Sequence, residues 1–301
     1  MPQTSPFRAY FDLTMAMILV GSSVVAGKFM ILELPPQLAS ALRFAFAALL
    51  IVPLLLILEG LPRLSRRSWC ILFIQALCGS FLFNVFLLKG LTMTGAGAAG
   101  IITSTTPACM GLIALTVLRE PLAPRAMAGI LLSMTGVMAV NIQATGLDTS
   151  PDMGTLAGNG LILCAVLAEA LFLLLRKTVP EPISPLAVAT IMTCFGLALF
   201  TPGAIAESRG FDFHAVSWAT WGTVAYYGAF VTVAAYLFWF SGVVRVSAGT
   251  AGVFTSIIPV SALALSALLL GEPVTGAHVG GCGLVLAGIW CISARPSKSA
   301  A

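Results

Sequence analysis

The sequence predicts an all-α membrane protein with ten transmembrane helices, arranged as two inverted-topology repeats of five helices each. Three observations predict this fold. The 301-residue chain is 59% hydrophobic and only 9% charged, ten long apolar runs follow one another, and one stretch occurs twice. A soluble domain carries about 25% charged residues, so this chain lacks the polar groups to cover a surface in water.

The apolar runs have the length that a bilayer requires. A spanning helix needs about 20 mostly apolar residues, and continuous rather than alternating runs favour helices over barrel strands. The first run follows Arg8 as in a signal peptide, but it is long enough to span and no convincing cleavage site follows, so we expect a retained helix. The runs lie near residues 10–32, 36–58, 69–89, 95–118, 125–142, 156–176, 184–206, 217–240, 248–270 and 277–294.

A repeat relates the two halves. The stretch from Gly97 to Pro121 matches the stretch from Gly249 to Pro273 with a constant shift of 152 residues. We expect a first five-helix repeat at residues 1–142, a polar linker at 143–158 and a second repeat at 159–301. Five spans is an odd number, so the second copy enters the membrane from the opposite side. Inverted repeats of this kind support alternating access.

Charge placement predicts the orientation. With a cytoplasmic N-terminus, eleven cations fall on the cytoplasmic side and two, Lys89 and Arg209, on the other. This positive-inside bias predicts a multi-pass protein of a bacterial-type inner membrane with both termini in the cytoplasm. The eleven are Arg8, Arg63, Arg66, Arg67, Arg119, Arg125, Arg176, Lys177, Arg245, Arg295 and Lys298.

Several function classes lack their signatures. The seven cysteines form no CxxC pair or Cys/His cluster, so we expect no metal and no cofactor. The cations lie at the ends of apolar segments, which predicts the lipid bilayer rather than nucleic acid as a partner. The sequence has no P-loop, which a primary pump would need. It also lacks the acid–His or Ser–His spacing of a membrane-embedded enzyme and the repeated polar rings of a channel.

Motifs in both halves carry a resemblance to a known family. They include Gly21, Pro35-Pro36, the two Glu-Pro dipeptides after the fourth and ninth runs, and the segment LLKGLTMTGAGAAGIITSTTP with its copy FWFSGVVRVSAGTAGVFTSIIP. The chain resembles a member of the drug/metabolite transporter superfamily with two EamA-type repeats, closest to the YddG type of amino-acid exporter. The resemblance implies a carrier with a central cavity, through which small metabolites leave the cell. It implies aromatic or large apolar amino acids as the cargo, with organic cations or phosphorylated metabolites as the alternative.

Three ionisable residues lie inside apolar runs, where a charge costs about 2.5–3.5 kcal/mol. Lys28 either extends to the outer interface or faces the carboxylate of a substrate. Arg43 either grips a carboxylate or ties helix ends by bonding backbone carbonyls. Glu169 either carries a proton, meets an amino group of the substrate, or pairs with one of these cations.

Hydroxyl pairs precede a proline in both copies. They are Thr103 and Ser104 before Pro107, and Thr255 and Ser256 before Pro259. A proline inside a helix frees the carbonyl four residues earlier. The hydroxyls then satisfy local backbone groups, line a cavity with the freed carbonyls, or do both. We predict that the helices bend here and that Gly90, Gly242 and the two prolines act as hinges.

Aromatic residues gather in the third and eighth runs. Tyr236 and Trp239 lie three residues apart on one helix face, near the position equivalent to Asn84. We predict that these residues and Phe83 line the cavity and contact an apolar or aromatic part of the substrate. Because one chain of ten helices can enclose such a cavity, no oligomer is required.

Overall fold

The structure, a computed structural model, describes residues 6–91, 93, 94, 99, 102–141, 153–270 and 274–293. Within these ranges the chain is helical and holds no strand. The helices are α1 Pro6–Met30, α2 Pro36–Leu58, α3 Arg66–Leu91, α4 Thr106–Thr116, α5 Pro124–Asn141, α6 Met153–Leu174, α7 Pro185–Ser208, α8 Trp218–Arg245, α9 Ala248–Thr255 with Ile257–Leu270, and α10 Gly276–Ser293.

Seven helices of the described ranges are long and apolar enough to cross a membrane. They are Phe7–Gly27, Pro36–Leu58, Arg66–Leu91, Leu156–Thr178, Pro185–Ser208, Trp218–Arg245 and Ala248–Leu269. Two shorter apolar helices lie at Thr106–Thr116 and His278–Ile292. The all-α membrane class is therefore confirmed.

Serine residues fix where several helices begin. The hydroxyls of Ser65, Ser184, Ser217 and Ser247 each accept a hydrogen bond from the backbone N–H three residues further on, at 3.0–3.2 Å. These bonds satisfy one of the N–H groups that a helix start leaves without an internal partner. Each of these four helices therefore has a defined first turn.

The helix bounds follow the sequence repeat. Pro124–Asn141 and Gly276–Ser293 are 152 residues apart at both ends, and Arg66 and Trp218, which start α3 and α8, are also 152 apart. Both α3 and α8 contain a π-helical segment, at Leu77–Leu82 and Tyr227–Ala234. The shift of 152 places the first segment on residues 229–234, within the second segment. The two halves therefore share local geometry in addition to sequence.

Packing between the halves pairs equivalent helices. α2 packs against α7, α4 against α9, and α5 against α10, and each pair consists of repeat counterparts. The remaining main contacts are also related by the repeat. α1 packs against α8 and α9, and its counterpart α6 packs against α3 and α4, the counterparts of α8 and α9. Such reciprocal pairing is the pattern that an approximate two-fold axis between the halves produces.

Glycines let α5 and α10 approach closely. A Cβ atom on Gly136 would lie 2.6 Å from the carbonyl oxygen of Gly281, and one on Gly288 would lie 2.8 Å from that of Gly129. Small residues at a helix–helix interface allow backbones to meet within a membrane. Gly249 and Gly252 of α9 pack closely against Leu122 and Met110. Gly97 and Gly100, the repeat counterparts of Gly249 and Gly252, lie outside the described residues.

The start of α6 overlaps the end of the predicted linker. α6 begins at Met153, so residues 153–158 are helical although the sequence analysis assigns them to the linker 143–158. Tertiary packing explains this difference, because a Cβ atom on Gly158 would meet Met93 at 2.8 Å and the Gly90 carbonyl oxygen at 3.1 Å. The start of α6 thus packs tightly against the end of α3, and this contact favours helix over the polar composition.

Candidate functional site

A cavity of about 470 Å³ lies where the two halves meet. Its walls come from the region of the two Ser/Thr–Pro motifs and from α1, α3, α5, α6 and α10. The lining residues are Val24, Phe83, Thr103, Ser104, Thr106, Pro107, Val137, Glu169, Thr255, Ser256, Ile258, Pro259, Ala262, Leu263, Ser266 and His278. The cavity therefore combines an apolar wall with hydroxyl groups and one carboxyl group.

Helix breaks build the hydroxyl-rich wall. The sequence analysis places Pro107 and Pro259 inside continuous helices, but the structure starts a new helical segment at Thr106 and another at Ile257. Ser256 separates the two segments of α9. A proline in the first turn of a helix loses no hydrogen bond, so a break just before the proline is more favourable than a kinked helix.

Hydroxyls at these breaks satisfy local backbone groups. Thr106 donates to the Thr103 carbonyl oxygen at 2.9 Å, which is the carbonyl that Pro107 frees. Thr105 and Thr255 donate at 2.6 Å to the carbonyl oxygens of Ile102 and Gly252. The two copies differ here, because the position equivalent to Thr106 is Ile258, which has no hydroxyl.

Glu169 is a half-buried carboxyl group in the cavity wall. The Thr106 hydroxyl oxygen lies 3.3 Å from its Oε2 atom, so the single hydrogen of this hydroxyl is shared between the Glu169 carboxyl group and the Thr103 carbonyl oxygen. Among the described cavity-lining residues there is no lysine or arginine. The electrostatic character of this part of the wall is therefore set by a carboxyl group and by hydroxyl oxygens.

Ser256 has an unusual position. The residue is 2% exposed, lines the cavity, and its Oγ atom has no hydrogen-bond partner among the described residues. Its counterpart in the first copy, Ser104, is also buried and lines the cavity. A buried hydroxyl without a partner is unfavourable unless something in the cavity bonds to it.

Arg43 lies away from this cavity. Its guanidinium carbon is 4.3 Å from the ring centroid of Phe44 and 4.6 Å from that of Tyr227, and its Nη1 donates to Thr232 at 3.3 Å. These contacts join α2 to the π-helical segment of α8. The two roles predicted for Arg43, binding a substrate carboxylate and bonding backbone carbonyls, stay predictions.

The other predicted polar and aromatic residues fall into two groups, one in the cavity lining and one with contacts elsewhere. Phe83 lines the cavity, whereas Asn84 donates back to the Ser80 carbonyl oxygen of its own helix at 2.8 Å. Trp239 is 2% exposed and its indole N–H donates to the Leu173 carbonyl oxygen at 3.1 Å. Tyr236 packs between aromatic rings of the core. The helix face of Tyr236 and Trp239 therefore joins α8 to α6, because these rings pack between those two helices of the second half.

Two predicted hinge glycines are sites of close packing. A Cβ atom on Gly90 would lie 2.6 Å from the Ile162 side chain, and one on Gly242 would lie 2.9 Å from that of Leu13. These repeat counterparts hold α3 against α6 and α8 against α1. The side chain of Lys28 lies outside the described part of the chain.

Sequence reasoning missed three polar residues of the wall, Thr106, Ser266 and His278. Thr106 precedes Pro107 directly, and this position beside a helix-breaking residue was the available signal. The backbone N–H of Thr275 donates to Nδ1 of His278 at 3.2 Å, so the imidazole caps the start of α10. No set of three His, Cys, Asp or Glu residues in the described ranges is grouped to hold a metal ion.

Carboxylates join the halves at the helix ends. Asp12 pairs with Arg245 at 3.0 Å, and Glu120 pairs with Lys177 at 2.8 Å while also accepting from the Ala248 N–H at 2.7 Å. In the loops, Glu33 accepts from the Ser217 N–H at 2.7 Å. These contacts all cross from one half to the other.

Hydrogen bonds lower the pKa of two loop carboxyl groups, those of Glu33 and Glu181. Glu33 has a lowered pKa because the backbone and side chain of Ser217 donate to it. Glu181 has its pKa lowered to about 2, because the side chains of Ser65 and Ser68 donate to it. Both carboxylates therefore stay ionised under mildly acidic conditions and keep capping helices of the other half.

Comparison with known proteins assigns this arrangement to a family. The sequence profile described as the EamA-like transporter family matches residues 8–142 and 156–294, one match for each half. A Bacillus subtilis protein named "Uncharacterized transporter YetK" is 42% identical over 94% of this chain and 86% of its own length. An "Uncharacterized transporter" of Archaeoglobus fulgidus is 26% identical over 95% of this chain and 98% of its own length.

A solved crystal structure has the same fold. It matches with a TM-score of 0.76 at 18% identity, over 95% of this chain and 96% of that one. The two profile matches cover most of the chain and coincide with the two packed halves. This chain belongs to the EamA-like transporter family, a family of membrane transporters.

Proposed function

We propose that the protein is a secondary transporter that moves a small organic molecule across the inner membrane by alternating access. The observation that carries this proposal is the position of the cavity, between the halves and beside both helix breaks. A site at the interface of two repeats, formed by discontinuous helices, is the arrangement that alternating access requires. Its volume of about 470 Å³ is in the range that binds small molecules.

We propose ten transmembrane helices, in two inverted repeats at residues 1–142 and 159–301. The constant shift of 152 residues and the reciprocal helix packing support this topology. The excess of cations on one side supports cytoplasmic termini. One chain supplies the described walls of the cavity, so the proposal needs no oligomer.

The transport cycle uses the contacts between the halves. At the proposed cytoplasmic end, the Asp12–Arg245 and Glu120–Lys177 pairs hold the halves together. The cavity reaches Val137 near the end of α5 and His278 near the start of α10, which both belong to the opposite end. This arrangement supports a state closed toward the cytoplasm, and breaking the two pairs opens the other access route.

The proposed cargo is an amino acid with an aromatic or large apolar side chain, or a related metabolite, that leaves the cell. Phe83, Val24 and Leu263 supply an apolar surface, and Glu169 with the hydroxyls supplies polar partners. Organic cations are the alternative that this wall also accommodates. Phosphorylated metabolites are less compatible with it, because the described lining offers a carboxyl group and neither lysine nor arginine.

Counterflow in proteoliposomes tests the proposal. Vesicles with the purified full chain are loaded with unlabelled phenylalanine, diluted into trace labelled phenylalanine without an ion gradient, and compared with empty vesicles. We expect transient accumulation of label that excess external tryptophan suppresses. If folded protein exchanges neither phenylalanine, leucine nor an organic amine, the proposed amino-compound cargo is wrong.

A further inference from the structure

The cavity contains a group of oxygen atoms with the chemistry of an ammonium-binding site. An ammonium group has three N–H donors and needs three acceptors. Glu169 contributes a carboxyl group to the wall, and Ser256 contributes a buried hydroxyl that has no partner in the described part of the chain. A buried polar group without a partner points to a ligand atom that completes its hydrogen bonding.

The third acceptor follows from the difference between the two copies. Pro259 has no N–H, so the carbonyl of Thr255 lacks the donor that a helix would supply. In the first copy, the equivalent carbonyl of Thr103 accepts from the Thr106 hydroxyl. Ile258 stands in place of Thr106 in the second copy and cannot make this bond. The second break therefore lacks the hydroxyl donor that serves this carbonyl in the first break.

Glu169 lies in the cavity wall beside the first helix break. The Thr106 hydroxyl oxygen lies 3.3 Å from its Oε2 atom and shares its single hydrogen between this carboxyl group and the Thr103 carbonyl oxygen, so the carboxyl group beside the first break keeps further lone pairs available. The described cavity wall has no lysine or arginine, and its one histidine, His278, holds its Nδ1 toward the Thr275 N–H at the start of α10. A ligand carboxylate or phosphate would face the Glu169 carboxylate.

We propose that the cavity recognises the protonated amine of its ligand, with Glu169, Ser256 and the Thr255 carbonyl as acceptors and the apolar wall around the rest of the molecule. The proposal rests on the proposed function and specifies the chemical group that its cargo must carry. Amino acids and amines without a carboxylate both supply this group. The experiment must therefore separate these two sources.

Three probes of one size make this separation. They are 2-phenylethylamine, which has only the ammonium group, 3-phenylpropionate, which has only the carboxylate, and phenylalanine, which has both. Binding to the full chain in detergent is measured by isothermal titration calorimetry. We expect the amine to bind and 3-phenylpropionate to bind at least about tenfold more weakly. If phenylalanine binds with the same affinity as 2-phenylethylamine, the ligand is an amino acid. If phenylalanine binds about tenfold more weakly, the ligand is an amine without a carboxylate. Both results support ammonium recognition.

Substitutions assign the acceptors. Glu169→Gln should weaken amine binding by about tenfold or more, since it replaces a charged acceptor by a neutral one. Glu169→Asp, which keeps the charge, should restore part of the affinity, and Ser256→Ala should weaken binding by about threefold to tenfold. Asp212→Asn is the matched control, because Asp212 caps a turn in an exposed loop. Its affinity should equal that of the wild type.

The proposal is overturned if the amine does not bind to folded wild-type protein, if 3-phenylpropionate binds as tightly, or if Glu169→Gln leaves amine affinity unchanged. Counterflow separates this failure from failure of the transport function. Amine binding that depends on Glu169 without any exchange would contradict transport and leave the site intact. Exchange of labelled 3-phenylpropionate without amine binding would contradict the site and leave transport intact.

Discussion

The Nζ atom of Lys177 lies 2.8 Å from the carboxylate of Glu120, and this pair joins the end of α6 to the loop before α5. The same carboxylate accepts from the Ala248 N–H at the start of α9, while Lys177 donates to the Val246 carbonyl oxygen at 2.7 Å. One carboxylate thus holds a cation and a helix start of the second half. We infer that this cluster closes one end of the transport pathway.

Glu120→Ala should destabilise the protein. It removes a helix cap and an ion pair at once, and a lost cap costs about 0.5–2 kcal/mol. The melting temperature in detergent should fall by about 2–6 °C, as followed by circular dichroism. Arg67→Ala is the control, since Arg67 is exposed on α3, and it should leave the melting temperature within about 1 °C. Equal melting temperatures for Glu120→Ala and the wild type would contradict this role.

Gly21 and Gly27 lie on the same helix and should respond in opposite directions to alanine. A Cβ atom on Gly21 would lie 1.9 Å from Oγ of Ser261 and 2.7 Å from the Ile258 carbonyl oxygen, whereas nothing lies within 4 Å of one on Gly27. Gly21→Ala should cost about 1–3 kcal/mol by forcing α1 away from α9. Gly27→Ala should gain about 0.5–1 kcal/mol because alanine favours a helix interior. Melting curves of both variants in one detergent test this ordering, and an unchanged Gly21→Ala protein would refute the close packing.

Pro107→Ala and Pro259→Ala should slow transport without unfolding the protein. Each change restores an N–H group that can bond the carbonyl four residues earlier, so the helix continues through the break. We expect counterflow rates to fall by about tenfold, which corresponds to a barrier about 1.4 kcal/mol higher. Pro62→Ala, in the loop before α3, is a control outside the cavity and should keep the wild-type rate. Unchanged rates in both folded cavity variants would remove the hinge role.

Glu181→Gln should lower stability in a pH-dependent way. The folded-state pKa of Glu181 is lowered from 4.5 to about 2, so its stabilising contribution is present above pH 4.5 and is lost as the pH falls toward 2. The melting temperature of the variant should therefore lie below that of the wild type at pH 7 and approach it between pH 4.5 and 3. Ser68→Ala removes one of the two hydroxyl donors and should show a smaller version of the same pH dependence. A difference that persists unchanged to pH 3 would contradict this assignment.

Arg43→Ala should affect stability rather than ligand affinity. Arg43 contacts Phe44, Tyr227 and Thr232, and each cation–π contact contributes about 0.5–2 kcal/mol. We expect a lower melting temperature and an unchanged affinity for phenylalanine in calorimetric titration. Arg43→Lys keeps the positive charge and should recover part of the stability. A tenfold loss of affinity in a folded Arg43→Ala protein would instead place this cation in the binding site.

The sequence predicts a structural feature best where the covalent structure of a residue decides it. Proline without an N–H marks the region of both breaks, and threonine or serine beside it marks the hydroxyls that line the cavity. Phe83 and Glu169 line the cavity. Arg43 and Trp239 do not, because each is a large side chain whose direction depends on the neighbouring helix. Spacing along α2 and α8 gives no information about that neighbour.

The sequence by itself determined the membrane class, the two equivalent halves and the family, because hydropathy, repeat spacing and motifs are properties of the linear chain. Only the tertiary structure decided which side chains of the two halves contact each other. It brought Thr106 to Glu169, left Ser256 without a described partner, and turned Glu120 toward the second half. These relationships depend on helix rotation and on contacts between residues more than 60 positions apart in sequence, which no local pattern encodes.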